Sequence, residues 1–587
     1  MAGPGKAFDF NLFRRLLGYT NAYRLTFYYV AFAAIAMSIL GVVQPELLQI
    51  TIDESIVPKD NKNLVFYITL MVVVIFAETL LNLTFIYLAN WLGQNVIRDI
   101  RVKLFELMLS FKLKYYDTSA VGKLTTRAVN DIETISSIFS QGLFMIISDL
   151  LKMLVIVGFM FYKSWQLALI VLAILPLILY ATRIFQKAMK VAFEDVRNQV
   201  SNLNSFVQER ITGMKIVQIF TREETEYSHF KEINEKHKKA WVRTVWYNSI
   251  FFPIAEIASS IAIGFVVWYG GLNVIAGGNI TLGIITSFII LSQMLFRPLR
   301  QIADKFNTLQ MGMVAARRVF EVLDTKSHID DSGTKLLSDT KGLIGFNDVR
   351  FSYIEGEEII KGISFTVQPG ETVAIVGATG AGKSTIINLL SRFYEINNGE
   401  ITIDGASIND YTLKSLRNHI AVVLQDVFLF ADSILNNITL NNPNISEEEV
   451  IAAAKEIGVH KFISSLPNGY HYNVKERGVM LSSGQRQLLA FLRAYVSNPS
   501  ILILDEATSS IDSYSEEMIQ TATDKITKGR TSIVIAHRLA TVKKADKIIV
   551  MDAGKIVEMG SHKELLKKEN GYYKNLYEVQ FLEKEAI

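Results

Sequence analysis

The residues most suited to chemistry lie in one short stretch, where glycines are followed by a lysine and two hydroxyl side chains. The pattern G-x-x-x-x-G-K-S runs from Gly377 to Ser384, and Thr385 follows it. Four apolar residues at 373–376 predict a buried strand before it, and the apolar run 386–390 predicts a helix after it. In this context the loop amides and the positive helix N-terminus hold phosphates. An ordinary glycine-rich turn is the alternative, but the context favours a site for a nucleoside triphosphate.

Each member of this loop has an expected role. Lys383 is expected to reach the β- and γ-phosphates, and the Ser384 hydroxyl is expected to bind Mg²⁺. The residues assigned to nucleotide binding, called the phosphate loop below, are Gly377, Ala378, Thr379, Gly380, Ala381, Gly382, Lys383, Ser384 and Thr385.

Carboxylates follow a second apolar strand pattern, Ile501 to Leu504. Asp505 is placed to hold Mg²⁺ through its water shell, and Glu506 to polarise the attacking water. Gln425 ends another strand pattern and is a candidate contact for Mg²⁺ or for the attacking water. His537 also follows a strand; a structural role and a contact with the γ-phosphate are both open. The strand-end Asp is weak evidence alone and strong beside a phosphate loop on the same chain.

A second candidate phosphate site begins at Leu481 in the run L-S-S-G-Q. Ser482 is a predicted N-cap of an apolar helix, and Gly484 and Gln485 follow it. One nucleotide does not need two such sites from one monomer, so we expect one of them to serve a neighbouring subunit. Tyr353, which precedes the phosphate loop, is a candidate for stacking on the base; a core aromatic is the alternative.

The composition favours a membrane protein with at least two domains. The chain has 587 residues, of which 50% are hydrophobic and 20% charged. Its formal net charge of +3 gives no reason to expect nucleic acid, and the absence of cysteine excludes disulfides and thiolate sites. The segment Phe8 to Leu17 predicts an amphipathic helix on the cytoplasmic membrane surface rather than a signal peptide.

Six apolar stretches long enough to cross a bilayer precede residue 310, and a soluble helical bundle accommodates them poorly. The predicted spans are 25–50, 64–91, 140–163, 166–187, 248–275 and 281–305. The predicted domains are a transmembrane domain with six helices over 1–320, a polar linker over 321–343 and an α/β nucleotide-binding domain over 344–587.

The orientation follows from the distribution of Lys and Arg. The segments 92–139 and 182–245 together carry nineteen of these residues, whereas the loops on the other side carry only Lys59, Lys62 and Lys163. The positive-inside rule therefore predicts that both long loops, both termini and the nucleotide-binding domain are cytoplasmic.

Several polar residues fall within the predicted spans: Glu78, Asn82, Asp149, Lys152, Glu256 and Gln293. Such residues are costly in lipid and are expected to face the bundle interior or a water-filled cavity. Asp149 and Lys152 are spaced i, i+3, so the simplest expectation is that they pair with each other. Structural stabilisation and contact with a substrate are both open for each of these residues.

Taken together, these motifs resemble those of the ATP-binding-cassette (ABC) transporters over nearly the whole chain. Tyr353 matches the aromatic adenine platform, the phosphate loop matches Walker A, and Ile501–Glu506 matches Walker B. The Q-loop of that family is matched by Gln425, its signature by Leu481–Gln485, its D-loop by Ser510–Asp512 and its switch histidine by His537. A segment that contacts the membrane domain in that family is matched by Glu476–Gly478. Tyr115–Asp117, Gly122–Leu124 and Arg127–Asp131 resemble the first intracellular loop of its exporter subclass, and Ile216–Glu224 the second.

The resemblance implies an ATP- and Mg²⁺-dependent exporter of the multidrug or lipid A flippase type, a half-transporter embedded in the inner membrane. Two chains give two ATP sites, each closed by the phosphate loop of one chain and the signature of the other. Ser483 replaces the first glycine of the usual L-S-G-G-Q, while no catalytic position is degenerate, which favours a homodimer over a heterodimer. The expected substrate is a lipid, drug-like amphiphile or peptide, and membrane lipids are expected partners.

Three other functions compete with export. An ATP-gated channel or regulator on the same fold is disfavoured because Glu506 and His537 are both present. A soluble cassette ATPase acting on nucleic acid is disfavoured by the membrane spans, and import on the exporter fold is a further alternative.

Overall fold

The computed structural model describes residues 9–338, 340–505, 513–536 and 538–578, and these form two compact units. The first unit comprises the chain up to Leu109 together with Ala120–Lys326. The second comprises Ser327 onwards and also Ser110–Ser119, a short segment that the first unit flanks on both sides. The domain limits drawn at 320 and 344 stay predictions; the last helix of the first unit ends at Leu323, and the first strand of the second begins at Ile344.

The first unit is entirely helical in its described part, as the long apolar runs predict. Its helices are α1 (Phe10–Gly18), α2 (Arg24–Thr51), α3 (Asn61–Leu109), α5 (Val121–Thr126), α6 (Ile132–Ser137), α7 (Phe144–Lys163), α8 (Trp165–Thr212), α9 (Met214–Ile219), α10 (Glu223–Ile275) and α11 (Leu282–Leu323), and the short helix α4 (Leu113–Thr118) belongs to the second unit. Helices α3, α8 and α10, with 49, 48 and 53 residues, are each much longer than a bilayer crossing requires.

Among the described residues, five helical stretches are long and apolar enough to cross a membrane. They are Phe10–Ile56, Asn61–Leu109, Val121–Lys163, Trp165–Thr212 and Glu223–Ile275. The sixth predicted span, 281–305, falls on α11, whose apolar part Leu282–Pro298 is shorter. It lies at the lower edge of the roughly 17–25 residues that spanning helices use, so this sixth crossing stays a prediction.

Local side-chain caps fix where the membrane helices begin. The α7–α8 hairpin turns within Lys163–Trp165, where the Ser164 hydroxyl accepts a hydrogen bond from the Leu167 amide. Thr281 caps α11 in the same way through the Ile284 amide. The predicted amphipathic N-terminal helix is present as α1, with Asp9 as its N-cap.

The expected pairing of Asp149 with Lys152 is wrong. Asp149 accepts a hydrogen bond from Lys305 of α11 at 2.5 Å, and the ammonium of Lys152 lies 3.8 Å from the Glu78 carboxylate of α3. Because these partners come from neighbouring helices, the two charges of α7 join helices to one another instead of neutralising each other on one face. Spacing along one helix carries no information on such partners.

The second unit contains two sheets. The antiparallel sheet has the order β2 (Glu358–Val367), β1 (Ile344–Ser352), β4 (Asn398–Ile403), β5 (Ala406–Ser407), and the other has the order β10 (Lys555–Gly560), β9 (Lys547–Asp552), β3 (Thr372–Gly377), β8 (Thr531–Ile535), β7 (Ile501–Asp505), β6 (Ile420–Val423). Strands β9, β3, β8, β7 and β6 are parallel. The predicted parallel α/β architecture is thus confirmed; the antiparallel sheet was not foreseen. The pairing of β1 with β2 is antiparallel because the link between them is too short for the crossover that parallel strands need.

The remaining helices of the second unit lie between these strands in the chain or follow the last of them. They are α12 (Lys383–Leu390), α13 (Leu413–Asn418), α14 (Ile434–Thr439), α15 (Glu447–Ile457), α16 (His460–Ser464), α17 (Ser483–Val496), α18 (Ser513–Thr527), α19 (Leu539–Lys544), α20 (His562–Leu566) and α21 (Tyr572–Tyr577). The central strands β7 and β8 are buried along their whole length, which is why they read as continuous Ile, Leu and Val runs. Because β3, β6, β7 and β8 are parallel, their carboxyl ends lie at the same edge of the sheet.

Candidate nucleotide-binding site

The phosphate loop connects β3 to α12, as the sequence predicts. Gly380 and Gly382 have φ angles of +85° and +97°, which side-chain-bearing residues rarely adopt. At Gly377, a Cβ atom would lie only 2.2 Å from the Met551 carbonyl oxygen of the neighbouring strand β9. These glycines are required by the backbone path itself, which turns sharply and leads directly into the helix N-terminus.

The buried Lys383 side chain folds back over this loop. Its Nζ donates to the carbonyl oxygens of Gly377 and Ala378 at 2.8 and 2.9 Å, and the residue is 8% exposed. Burial lowers the pKa of Lys383, and the nearby Asp505 opposes this shift. The ammonium is thus held by uncharged acceptors, an arrangement that leaves its charge available to an anion.

Asp505 and Ser384 approach each other at the carboxyl ends of β7 and β3. The Ser384 hydroxyl donates to Asp505 Oδ2 at 3.5 Å. Burial raises the pKa of Asp505, while the hydrogen bond from Ser384 and the charge of Lys383 lower it and Asp426 raises it further.

A hydroxyl beside a carboxylate suits Mg²⁺, which prefers oxygen ligands. In the described part of the chain, no group of three or more His, Cys, Asp or Glu side chains forms a metal site.

Gln425 lies just beyond β6, the strand next to β7, and its side chain is exposed. Its neighbour Asp426 acts electrostatically on Asp505, which places this turn near the carboxylate. Glu506, His537 and the segment Ser510–Asp512 lie outside the described residues, so their predicted roles stay predictions.

Tyr353 is half-buried beside the first turns of α12. Its hydroxyl donates to Thr385 Oγ1 at 3.3 Å and accepts from Asn388 Nδ2 at 3.1 Å. The Tyr353 ring packs edge-on against Phe351 and Tyr394, with centroids 4.8 and 4.9 Å apart. This aromatic side chain is therefore fixed at the phosphate-loop helix; its stacking on adenine stays a prediction.

Tyr394 was missed by the sequence reasoning. Its hydroxyl donates to the Asp117 carboxylate of α4, and burial together with that carboxylate raises the pKa of Tyr394. Lys112 forms an ion pair with Glu395 at 3.2 Å, next to the same contact. A chain of contacts thus runs from Asp117 through Tyr394 and Tyr353 to the phosphate-loop helix. Asp117 and Tyr394 are 277 positions apart, a pairing that no local pattern signals.

The L-S-S-G-Q run begins α17 as predicted. Ser482 Oγ accepts from the Gln485 amide at 3.2 Å, and Gln485 Oε1 accepts from the Ser482 amide at 2.9 Å, which completes a capping box. Gly484 is buried, whereas Ser482 and Ser483 are exposed. The cap alone accounts for Ser482 and Gln485, and their service to the site of a second subunit stays a prediction.

Comparison with known proteins agrees with this geometry. The profile of the ABC transporter transmembrane region matches residues 27–299, and the profile described as ABC transporter matches residues 360–509. An uncharacterized ABC transporter ATP-binding protein of Bacillus subtilis, YknV, is 36% identical over 98% of this chain and 96% of its own. The chain belongs to the ABC transporter family.

Two further relatives have more specific names. A protein of Idiomarina loihiensis named ATP-dependent lipid A-core flippase is 35% identical over 97% of this chain and 98% of its own. A probable multidrug resistance ABC transporter ATP-binding/permease protein of Bacillus subtilis, YheH, is 37% identical over 85% of this chain and 74% of its own. This ABC transporter is thus a multi-pass membrane protein of the exporter type, and its cytoplasmic ATPase domain drives transport.

Proposed function

We propose that two copies of this transporter form a homodimeric exporter that moves an amphiphile out of the cytoplasm or the inner leaflet of the inner membrane. The observation that supports nucleotide binding is the buried Lys383, whose ammonium donates to the carbonyls of Gly377 and Ala378, beside the Ser384–Asp505 pair. Lipids, drug-like molecules and peptides are the candidate substrates, and the names of the flippase and multidrug relatives favour the first two.

In the proposed site, Lys383 and the phosphate-loop amides bind the phosphates of ATP, and Tyr353 orients the base. Ser384, Asp505 and Gln425 would hold Mg²⁺, which neutralises charge on the phosphates when it is bound. Glu506 acts as the base toward the attacking water and His537 contacts the γ-phosphate. Ser482, Gly484 and Gln485 of the second chain close the site, because a helix N-terminus stabilises an anion.

The test uses the purified full-length chain in lipid nanodiscs and a Glu506→Gln variant. We expect a dimer, ATP hydrolysis by the native chain and a decrease of at least about 100-fold in Glu506→Gln, with retained ATP binding and accumulation of closed dimers. The matched control is Glu517→Gln, since Glu517 is an exposed carboxylate on the nearby helix α18. Near-native hydrolysis in Glu506→Gln would show that another residue prepares the water.

A further inference from the structure

Among the ion pairs within the predicted membrane spans of the first unit, the pair of Lys305 with Asp149 and the pair of Lys152 with Glu78 differ in the distance between their charges. Lys305 donates to Asp149 at 2.5 Å. By contrast, the Lys152 ammonium and the Glu78 carboxylate are 3.8 Å apart, which is beyond hydrogen-bond length. Both members of the looser pair keep part of their surface accessible, with side-chain exposures of 30% for Lys152 and 23% for Glu78.

The looser pair lies where four helices meet. Glu78 belongs to α3 and Lys152 to α7, and each stands at the middle of its predicted span, 64–91 or 140–163. A Cβ atom added to Gly41 of α2 would lie 3.2 Å from Lys152 Nζ and 3.6 Å from the terminal methyl group of Met294 on α11. The ammonium is thus directed among the helices, close to the depth at which transporters bind their substrates.

The energetics of this position favour a ligand. A charge at mid-membrane is costly, and a partner offsets that cost best when the pair is hydrogen-bonded. Asp149 and Lys305 satisfy this condition. At 3.8 Å, Lys152 and Glu78 neutralise each other's charge but do not use each other's hydrogen-bonding capacity. The ammonium donors of Lys152 can therefore bind an anionic group, and the negative charge of Glu78 can attract a cationic group, of a molecule that inserts between them or beside them.

We infer that Glu78 and Lys152 together form a recognition site for a zwitterionic amphiphile, whose cationic group binds Glu78 and whose anionic group binds Lys152. The inference rests on the proposed export of amphiphiles and narrows their class. A purely anionic headgroup at Lys152 would face the Glu78 carboxylate, and a purely cationic one at Glu78 would face the Lys152 ammonium. Like-charge contacts in a medium of low dielectric constant are strongly unfavourable, whereas a zwitterion replaces one pair with two.

The first experiment compares headgroups of different charge on matched tails. The full-length chain in nanodiscs is titrated with lysophosphatidylcholine, lysophosphatidylglycerol and an alkyltrimethylammonium of equal chain length, and stimulation of ATP hydrolysis is measured. We expect half-maximal stimulation by lysophosphatidylcholine at a concentration at least tenfold lower than by either singly charged amphiphile. Equal potency of all three, or preference for a singly charged one, would overturn the inference.

A fourth probe, an alkyl sulfobetaine, distinguishes a lipid headgroup from the charge arrangement alone. Stimulation by the sulfobetaine as well as by lysophosphatidylcholine supports recognition of any zwitterion. Stimulation by lysophosphatidylcholine alone supports recognition of a phospholipid headgroup. If neither zwitterion stimulates hydrolysis, the inference is wrong.

Charge variants assign the effect to this pair. Glu78→Gln should move the preference at least tenfold toward lysophosphatidylglycerol, and Lys152→Gln should move it toward the cationic amphiphile. The reversed pair, Glu78→Lys with Lys152→Glu, should regain the preference for zwitterions. Glu46→Gln is the control, since it breaks the 2.6 Å pair with Lys163 at the end of α7 and should leave the preference unchanged. Selectivity that stays the same in both single variants would overturn the assignment.

The outcomes separate this inference from the proposed function. Fluorescent lysophospholipids in proteoliposomes report ATP-dependent translocation directly. If none of the amphiphiles is translocated, the proposed export fails. If they are translocated irrespective of headgroup charge, export stands and only the zwitterion site is wrong. Should the single variants not insert into the membrane, the comparison of headgroups on the native chain decides alone.

Discussion

Lys383 of the second unit and Lys305 of the first are both largely buried, yet they are held by different kinds of acceptor. Lys383 donates to two backbone carbonyl oxygens, whereas Lys305 donates to the Asp149 carboxylate. Carbonyl oxygens satisfy the hydrogen bonds of an ammonium without cancelling its charge, and a carboxylate does both. The cytoplasmic unit therefore keeps a positive charge available for phosphate, while the membrane unit removes its charge from the lipid environment.

This comparison is tested most strongly by Lys305→Met, which leaves Asp149 without its partner. We expect the membrane unit to lose about 3 to 5 kcal/mol of stability, because a lone buried carboxylate is far costlier than a pair. The measurement is thermal unfolding in nanodiscs without nucleotide. The double variant Asp149→Leu with Lys305→Met should return close to native stability.

The matched control for this variant is Lys236→Met, which breaks the exposed pair with Glu232. We expect Lys236→Met to lose less than about 1 kcal/mol of stability, since water solvates both charges of the pair. Equal losses in Lys305→Met and Lys236→Met would contradict the role assigned to the pair of Lys305 and Asp149.

Lys383→Ala tests the other side of the comparison. We expect ATP affinity to fall by roughly 100-fold, or about 3 kcal/mol, because the phosphates lose their main charged donor. The thermal stability of the second unit without nucleotide should change little. Among the described residues of that unit, no carboxylate accepts a hydrogen bond from Lys383. Titration with fluorescent ATP measures the affinity, and Lys414→Ala on the exposed face of α13 is the control.

The two units also differ in how much of them the sequence reveals. The phosphate loop, the buried strand before Asp505 and the cap at Ser482 all depend on residues close together in the chain. Their local geometry was therefore predictable. The partners of Asp149 and Lys152 come from other helices, and a helical repeat gives the face of a charge but not its neighbour. The contact between Asp117 and Tyr394 was hidden for the same reason.

Tyr394→Phe breaks the contact that joins α4 to the aromatic residues of the nucleotide-binding unit. A hydrogen bond to a charged group contributes about 1.5 to 3 kcal/mol to stability. The substitution removes the hydroxyl that donates to Asp117, so α4 loses this contact with Tyr394. We expect ATP binding to persist and stimulation of hydrolysis by amphiphiles to fall several-fold. The Asp117→Asn variant should behave similarly.

Tyr353→Phe is the comparison for this variant, because it removes the hydroxyl that contacts Thr385 and leaves the bond between Tyr394 and Asp117 intact. It should leave the amphiphile stimulation ratio close to native. If Tyr394→Phe keeps that ratio as well, the chain of contacts through Tyr394 does not transmit substrate binding.

The smallest effect is expected for Ser483→Gly, which restores the usual L-S-G-G-Q. Ser483 is the first residue of α17 and is exposed, and the capping box uses Ser482 and Gln485 instead. In a homodimer both sites carry the same sequence and both hydrolyse ATP. The hydrolysis rates of the native chain and the variant should therefore agree within about twofold, a difference of only about 0.4 kcal/mol in the activation free energy. Gly484→Ser is the contrast, because Gly484 is buried whereas Ser483 is exposed, and it should reduce activity.

The decisive measurement is the ATPase rate of the purified single chain, with and without Ser483→Gly. A chain that dimerises but hydrolyses ATP only after the substitution would exclude the homodimer and indicate a partner whose signature serves the active site. Similar rates would mean that Ser483 lies away from the phosphates in the closed dimer, since a hydroxymethyl group facing the nucleotide would obstruct its approach to the helix N-terminus.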